Sequence, residues 1–152
     1  MSFSYKFLSS PVGKLKLVAS GVGLAAILWE NDDPERVRLG AIQQEDNNHP
    51  ILALTEIELK EYFAGHRTIF SAPLDLRGTR FQKQVWEALR RIPFGETRTY
   101  GQIATHVGSP TAARAVGAAN RRNPISIVVP CRLQAISSTF SRTTSTHSWP
   151  II

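Results

Sequence analysis

Apolar and polar residues alternate along the first part of the chain, and a period of two predicts strands. Phe3 to Leu8 and Leu15 to Ala19 both follow it, with Ser9-Ser10-Pro11-Val12-Gly13 as the turn between them. Gly21-Val22-Gly23 marks a second turn. The apolar run Leu24 to Trp29 then predicts a third, more deeply buried strand. From Asn31 to Pro50 the sequence is polar and reads as loop with at most a weak helix. The period lengthens after that. Ile51, Leu54, Ile57, Leu59, Tyr62 and Phe63 make a helical stripe ending at Gly65, where a glycine commonly closes a helix.

Ser71-Ala72-Pro73 and Arg77-Gly78 read as a linker. Beyond it, Thr79 with Gln82 forms a capping box. The helix it opens has Phe81, Val85, Trp86, Leu89 and Ile92 on its inner face and ends at Pro93-Phe94-Gly95. Thr99 with Gln102 repeats the capping pattern for a short helix, Tyr100 to Val107, stopped by Gly108. Ser109 with Pro110 is an N-cap and first-turn pair for a helix over Thr111 to Asn120. Two short helices across a tight Gly-Ser-Pro turn predict a helix-turn-helix. Ile125 to Val129 is β-branched and predicts a short strand, which Pro130 stops just before Cys131. The sequence contains no internal repeats.

Composition narrows the picture. At 152 residues the chain can bury a core, as one domain or two small ones. A single cysteine excludes an internal disulfide framework and any zinc site built on paired cysteines, and it suits a reducing compartment. The N-terminus lacks the apolar core of a signal peptide and no apolar run nears membrane-spanning length, so a cytoplasmic protein without membrane contact is expected. Asp32, Asp33 and Glu35 could be read as a metal site, although a solvated loop accounts for them more simply.

The net charge of +6 is unevenly spread. Residues 1–75 hold 7 Lys/Arg against 10 Asp/Glu, a net −3. Residues 76–152 hold 11 against 2, a net +9. A polyanion facing the second half would account for this, as would a basic surface of no special purpose. Between Thr111 and Asn120 the one long side chain is Arg114 among Ala112, Ala113, Ala115, Val116, Gly117, Ala118 and Ala119. So bare a helix can pack tightly on a neighbour or approach a nucleic acid groove closely. Arg121-Arg122 at its end favours the second reading, since both can meet phosphates. A lone Arg can also enter the space left by an extruded base. Tyr100 could press on the same backbone or donate a hydrogen bond.

Several segments, in order, resemble the O6-alkylguanine-DNA alkyltransferase family. They are Thr79-Arg80-Phe81-Gln82-Lys83-Gln84-Val85-Trp86, Ile92-Pro93-Phe94-Gly95-Glu96-Thr97, Tyr100-Gly101-Gln102-Ile103-Ala104, Ala112-Ala113-Arg114-Ala115-Val116-Gly117-Ala118-Ala119-Asn120, and Asn123-Pro124 to Pro130-Cys131. The match runs without a gap from about Gly78 to Cys131 and is looser over residues 1–74. It implies an α/β (α+β) protein in three parts: a ribonuclease-H-like N-terminal domain over 1–74, a winged helix-turn-helix alkyltransferase domain over 75–135, and an atypical Ser/Thr-rich tail over 136–152. The partner implied is double-stranded DNA containing O6-alkylguanine. The protein would act as a monomer without cofactor or metal, in the cytoplasm (associated with the nucleoid if bacterial).

By position, the resemblance makes Cys131 the alkyl acceptor and Arg114 the finger that fills the vacated base stack. Tyr100 assists nucleotide rotation and protonation of the departing guanine, and Asn123 braces the turn holding the cysteine. Thr99, Ala113, Gly117, Arg121 and Arg122 fall at DNA-facing positions. The sequence then departs from its family. There a histidine follows the Pro-Cys pair, then Arg-Val, a Gly-rich loop and a last helix carrying a glutamate. Here Cys131 is followed by Arg132-Leu133-Gln134-Ala135, with no Gly after Gly117 and no acid after Glu96. So abrupt a loss reads as a changed frame or a truncation. Three readings are consistent with this: an alkyltransferase of lowered or lost activity, a non-catalytic protein that flips and senses alkylguanine, or an inactive truncated homologue.

Overall fold

The structure is a computed structural model that describes residues 2–33, 36–39 and 43–130, with the backbone alone of 133–134. The chain divides into two compact units, Met1–Arg77 and Gly78–Ile152.

The first unit is a sheet with a helix on one face. Strands β1 (Phe3–Ser10), β2 (Gly13–Ala19) and β3 (Leu24–Trp29) form an antiparallel meander. A fourth strand, β4 (Gln43–Glu45), lies parallel to β1 and completes the order β3-β2-β1-β4. It falls inside the segment expected to be loop. Three polar residues carry no alternation, so only the pairing with β1 defines them as strand.

Helix α1 (Pro50–Phe63) packs on β1, β2 and β3. His49 caps it, its Nδ1 accepting from the Ile51 N–H at 3.2 Å. Gly65 follows the helix at φ 80°, with the His66 N–H bonded to the Glu61 carbonyl, the glycine-closed ending the sequence predicts. The buried face differs from the expected stripe. Leu52, Thr55, Glu58, Leu59 and Tyr62 face inward, whereas Leu54 and Ile57 are exposed. Polar residues occupy that face because each is satisfied. The Thr55 hydroxyl donates to the Ile51 carbonyl at 2.7 Å. The Glu58 carboxylate accepts from the amides of Ser71 and Ala72 and pairs with Arg67 at 2.8 Å. A pattern of apolar spacing cannot register a carboxylate held this way.

On the opposite sheet face, Phe3, Val18, Ala25 and Ala26 form a cluster with Tyr5, Leu28, Val37 and Leu39 against it. Lys14 and Lys16 lie over the rings of Phe7 and Tyr5, stems along apolar surface and ammonium groups toward the π faces.

The second unit is mainly helical. It comprises α2 (Arg80–Arg90), β5 (Arg98–Thr99), α3 (Tyr100–His106), α4 (Ala113–Arg121) and β6 (Leu133–Gln134), the last pairing in parallel with β5. Both expected capping boxes form, Thr79 with Gln82 and Thr99 with Gln102. Trp86 is buried at the centre of the unit, and its indole N–H donates to the Ala119 carbonyl of α4 at 2.8 Å. Gly78 must stay a glycine for this: a Cβ there would come within 2.6 Å of the Trp86 ring.

Two sequence expectations fail in this unit. α4 begins at Ala113 with Ala112 at the N-cap and no side-chain cap, so Ser109 is not the capping residue. Ser109 is drawn back to α3 instead, its N–H bonded to the Ala104 carbonyl at 2.9 Å beyond Gly108 at φ 82°. Residues 126–129 are not a strand but a tight turn, closed by the Val129 N–H on the Ile125 carbonyl at 2.8 Å. β-branching favours extended backbone only where a partner strand is offered. Here hydrogen bonds from Asn123 dominate.

Candidate DNA-facing site

α4 shows two faces set by its 3.6-residue repeat. Val116 and Ala119 are buried, and the helix packs on α2 and α3. Arg114, Ala115, Ala118 and Arg121 are exposed, with Arg122 just past the helix end. The outer stripe therefore consists of methyl groups interrupted by guanidinium groups. No acidic residue lies in the first turn of α4. The aligned peptide dipoles add positive potential there.

Tyr100 opens α3 beside this helix. A Cβ built on Gly117 would touch the Tyr100 ring at 3.5 Å, so the half-buried tyrosine lies along the glycine's flank. Thr99 is committed to capping: its hydroxyl accepts from the Gln102 N–H at 3.0 Å, and the Gln102 side chain accepts from the Thr99 N–H at 2.8 Å. The fold thus brings Tyr100 against Gly117, with Thr99 capping α3, Ala113, Arg114 and Arg121 along α4, and Arg122 at its C-terminal cap. Among the described residues there is no group of three His, Cys, Asp or Glu able to hold a metal. Asp32 bonds through both oxygens to Arg36 instead, and Glu35 lies outside the described residues.

At the C-terminal end of α4 the chain enters a clamp. Asn123 is 4% exposed. Its Oδ1 accepts from the Ile125 N–H at 3.0 Å, and its Nδ2 donates to the Val129 carbonyl in a short hydrogen bond. One side chain therefore joins the end of α4 to both ends of the turn. Ile127 within that turn has φ 78°. Sequence reasoning found Asn123 through resemblance but missed Ile127, since a run of Ile and Val signals extension. The buried Trp86 was readable as core, but not its bond to α4; the one hint is that a buried indole N–H needs an acceptor. Cys131 and Arg132 lie outside the described residues, as does the tail from 135.

Known proteins resemble this chain in sequence and fold. Residues 3–76 match the ribonuclease-like domain of 6-O-methylguanine DNA methyltransferase, and residues 80–133 match its DNA-binding domain. A methylated-DNA--protein-cysteine methyltransferase of Mycobacterium leprae is 47% identical over 124 residues, covering 82% of this chain and 73% of that protein. The constitutive Bacillus subtilis protein of the same name is 42% identical over 84% of this chain and 77% of its own length. The crystal structure of Mycobacterium tuberculosis O6-methylguanine methyltransferase superposes with a TM-score of 0.78 at 41% identity, over 93% of this chain and 84% of that one. The same organism's OGT in complex with DNA gives 0.76 at 41% identity, over 89% and 79%. No helix among the described residues is long and apolar enough to cross a membrane. With both domain types matched in order and 47% identity to a relative over 82% of its own length, this chain belongs to the 6-O-methylguanine DNA methyltransferase family.

Proposed function

We propose that this chain repairs DNA by direct reversal, as a methylated-DNA–protein-cysteine methyltransferase that takes one methyl group from O6-methylguanine and is consumed in doing so. The observation that carries the reading is the continuity of α4 into the Asn123 clamp. A bare basic helix ends two residues before Asn123, whose side chain holds the turn leading to Pro130 and Cys131.

In the proposed reaction the Cys131 thiolate attacks the methyl carbon. A carbon–sulfur bond forms as the carbon–oxygen bond breaks, and the electron pair passes to the O6 of guanine. The purine then takes one proton, for which Tyr100 is the assigned donor, and leaves as ordinary guanine. Arg114 fills the place of the rotated nucleotide. Arg121 and Arg122 meet phosphates, while Thr99, Ala113 and Gly117 keep the approach close. Asn123 holds the turn. The DNA-acting part corresponds to 75–135, and the working compartment is the cytoplasm, at the nucleoid in a bacterium.

The residue after Cys131 bears on rate. Arg132 stands where the family places a histidine and cannot accept a proton. An unassisted thiol of pKa about 8.5 is only ~3% thiolate at pH 7. The reading therefore includes a lowered rate, by a factor approaching ~30, partly offset by the stronger nucleophilicity of a more basic thiolate. The test is incubation with a duplex carrying O6-methylguanine labelled in its methyl group, then intact mass and peptide mapping. One added methyl on Cys131 is expected. Duplex binding without methyl gain would overturn transfer in favour of a protein that senses the lesion only.

A further inference from the structure

Among the described residues, Ile127 is the only one besides glycines with a positive φ, 78°. The left-handed region is least hospitable to a β-branched side chain. A glycine would adopt it without strain. Ile127 is nevertheless 3% exposed, a bulky apolar group sealed in the interior of its unit. Three hydrogen bonds impose the conformation: Ile125 N–H to Asn123 Oδ1, Val129 N–H to the Ile125 carbonyl, and Asn123 Nδ2 to the Val129 carbonyl. Strain of this kind persists only where the surroundings over-determine the backbone, and it gathers at functional sites.

We propose that Ile127 is a positioning residue for methyl transfer. Its buried side chain anchors the left-handed turn, and the anchored turn sets the direction in which Val129 passes the chain to Pro130 and Cys131. Pro130 locks its own φ and restricts the residue before it, so little slack remains along Val129-Pro130. Small errors in the placement of a reacting atom are costly, up to about a hundredfold in rate per ångström. The inference rests on the transfer reading above.

A side chain that merely fills the core would behave differently. Its loss would lower the folded fraction, and transfer would track that fraction. A positioning role predicts slower transfer in protein that is fully folded and binds DNA as before. The experiment is single-turnover methyl transfer from a duplex containing O6-methylguanine at saturating duplex. Affinity for the same duplex is measured in a Cys131→Ser background, and thermal melting is monitored throughout. Ile127→Gly is expected to slow transfer at least about tenfold while the Kd stays within about twofold. Ile127→Val, which keeps the branched anchor, is expected to match the unsubstituted chain. If Ile127→Gly gives no cooperative melt, Ile127→Ala takes its place with the same expectation. An unchanged transfer rate in a folded variant overturns the proposal, as does a parallel loss of rate and affinity. Failure of the unsubstituted chain to transfer methyl overturns the functional reading and this inference with it.

Discussion

Arg114 and Arg121 share one exposed face of α4 yet should fail in different ways when removed. On the proposed reading, Arg121→Ala removes a phosphate contact. It is expected to weaken binding equally for damaged and intact duplex and to reduce the salt slope of log Kd by about 0.9. Arg114→Ala is expected to cost more in transfer at saturating duplex than in affinity, because its proposed role begins once the nucleotide has left the stack. Fluorescence anisotropy across a salt series, beside single-turnover assays, separates the two. At the same scale, hydrogen bonds from Lys6 and Lys60 hold the Glu56 carboxyl below its ordinary value of 4.5. A lowered folded value means that the stabilisation is complete above pH 4.5 and fades as the pH falls through that lower value. Glu56→Gln should therefore destabilise the protein near neutrality, by about 1 kcal/mol or less for a partly buried surface network. Melting curves should show the difference from the unsubstituted chain shrinking below about pH 4.

Among the elements, those governed by neighbours in sequence were legible and those governed by distant partners were not. Thr79 with Gln82 and Thr99 with Gln102 cap their helices as expected, because the bonding groups lie three residues apart. β4 escaped notice because β1, distant in sequence, is what makes it a strand. The turn at 126–129 escaped because a single asparagine overrules the extended preference of the Ile and Val residues around it. Ser109 shows the limit of a local rule, since an adjacent helix claims its backbone before a cap can form. Stability should depend on these contacts and not on the motifs. Thr79→Ala is expected to cost about 1 kcal/mol, and Ser109→Ala within about 0.5 kcal/mol of nothing, by denaturant unfolding. Comparable losses at both positions would show that Ser109 caps α4 after all.

For the whole molecule, resemblance carried the family, while the proposed lowering of rate turns on the residues beyond the Pro-Cys pair. If Cys131 works without a base, transfer should rise nearly tenfold per pH unit from pH 7 and level off near the ordinary thiol value of about 8.5. Arg132→His gives the thiol a neighbour able to accept a proton, and it should flatten that profile if the rest of the site can orient the imidazole. A profile already flat in the unsubstituted chain would mean that another group activates the sulfur. The legible and illegible parts of the fold meet at this junction. The bare helix announces itself in composition, whereas the turn after it is set by contacts no pattern encodes.

The bond from the Trp86 indole to the Ala119 carbonyl makes α4 visible to light. Indole emission shifts in colour and yield when its hydrogen bond stretches or the field around the ring changes. Of the two described tryptophans, Trp86 is the one rooted under the helix proposed to press on a duplex, and replacing Trp29 and Trp149 by Phe would leave it as the sole tryptophan. Titrating that variant with duplex should alter the ultraviolet spectrum in step with occupancy, giving the protein a native gauge of when its helix has been engaged.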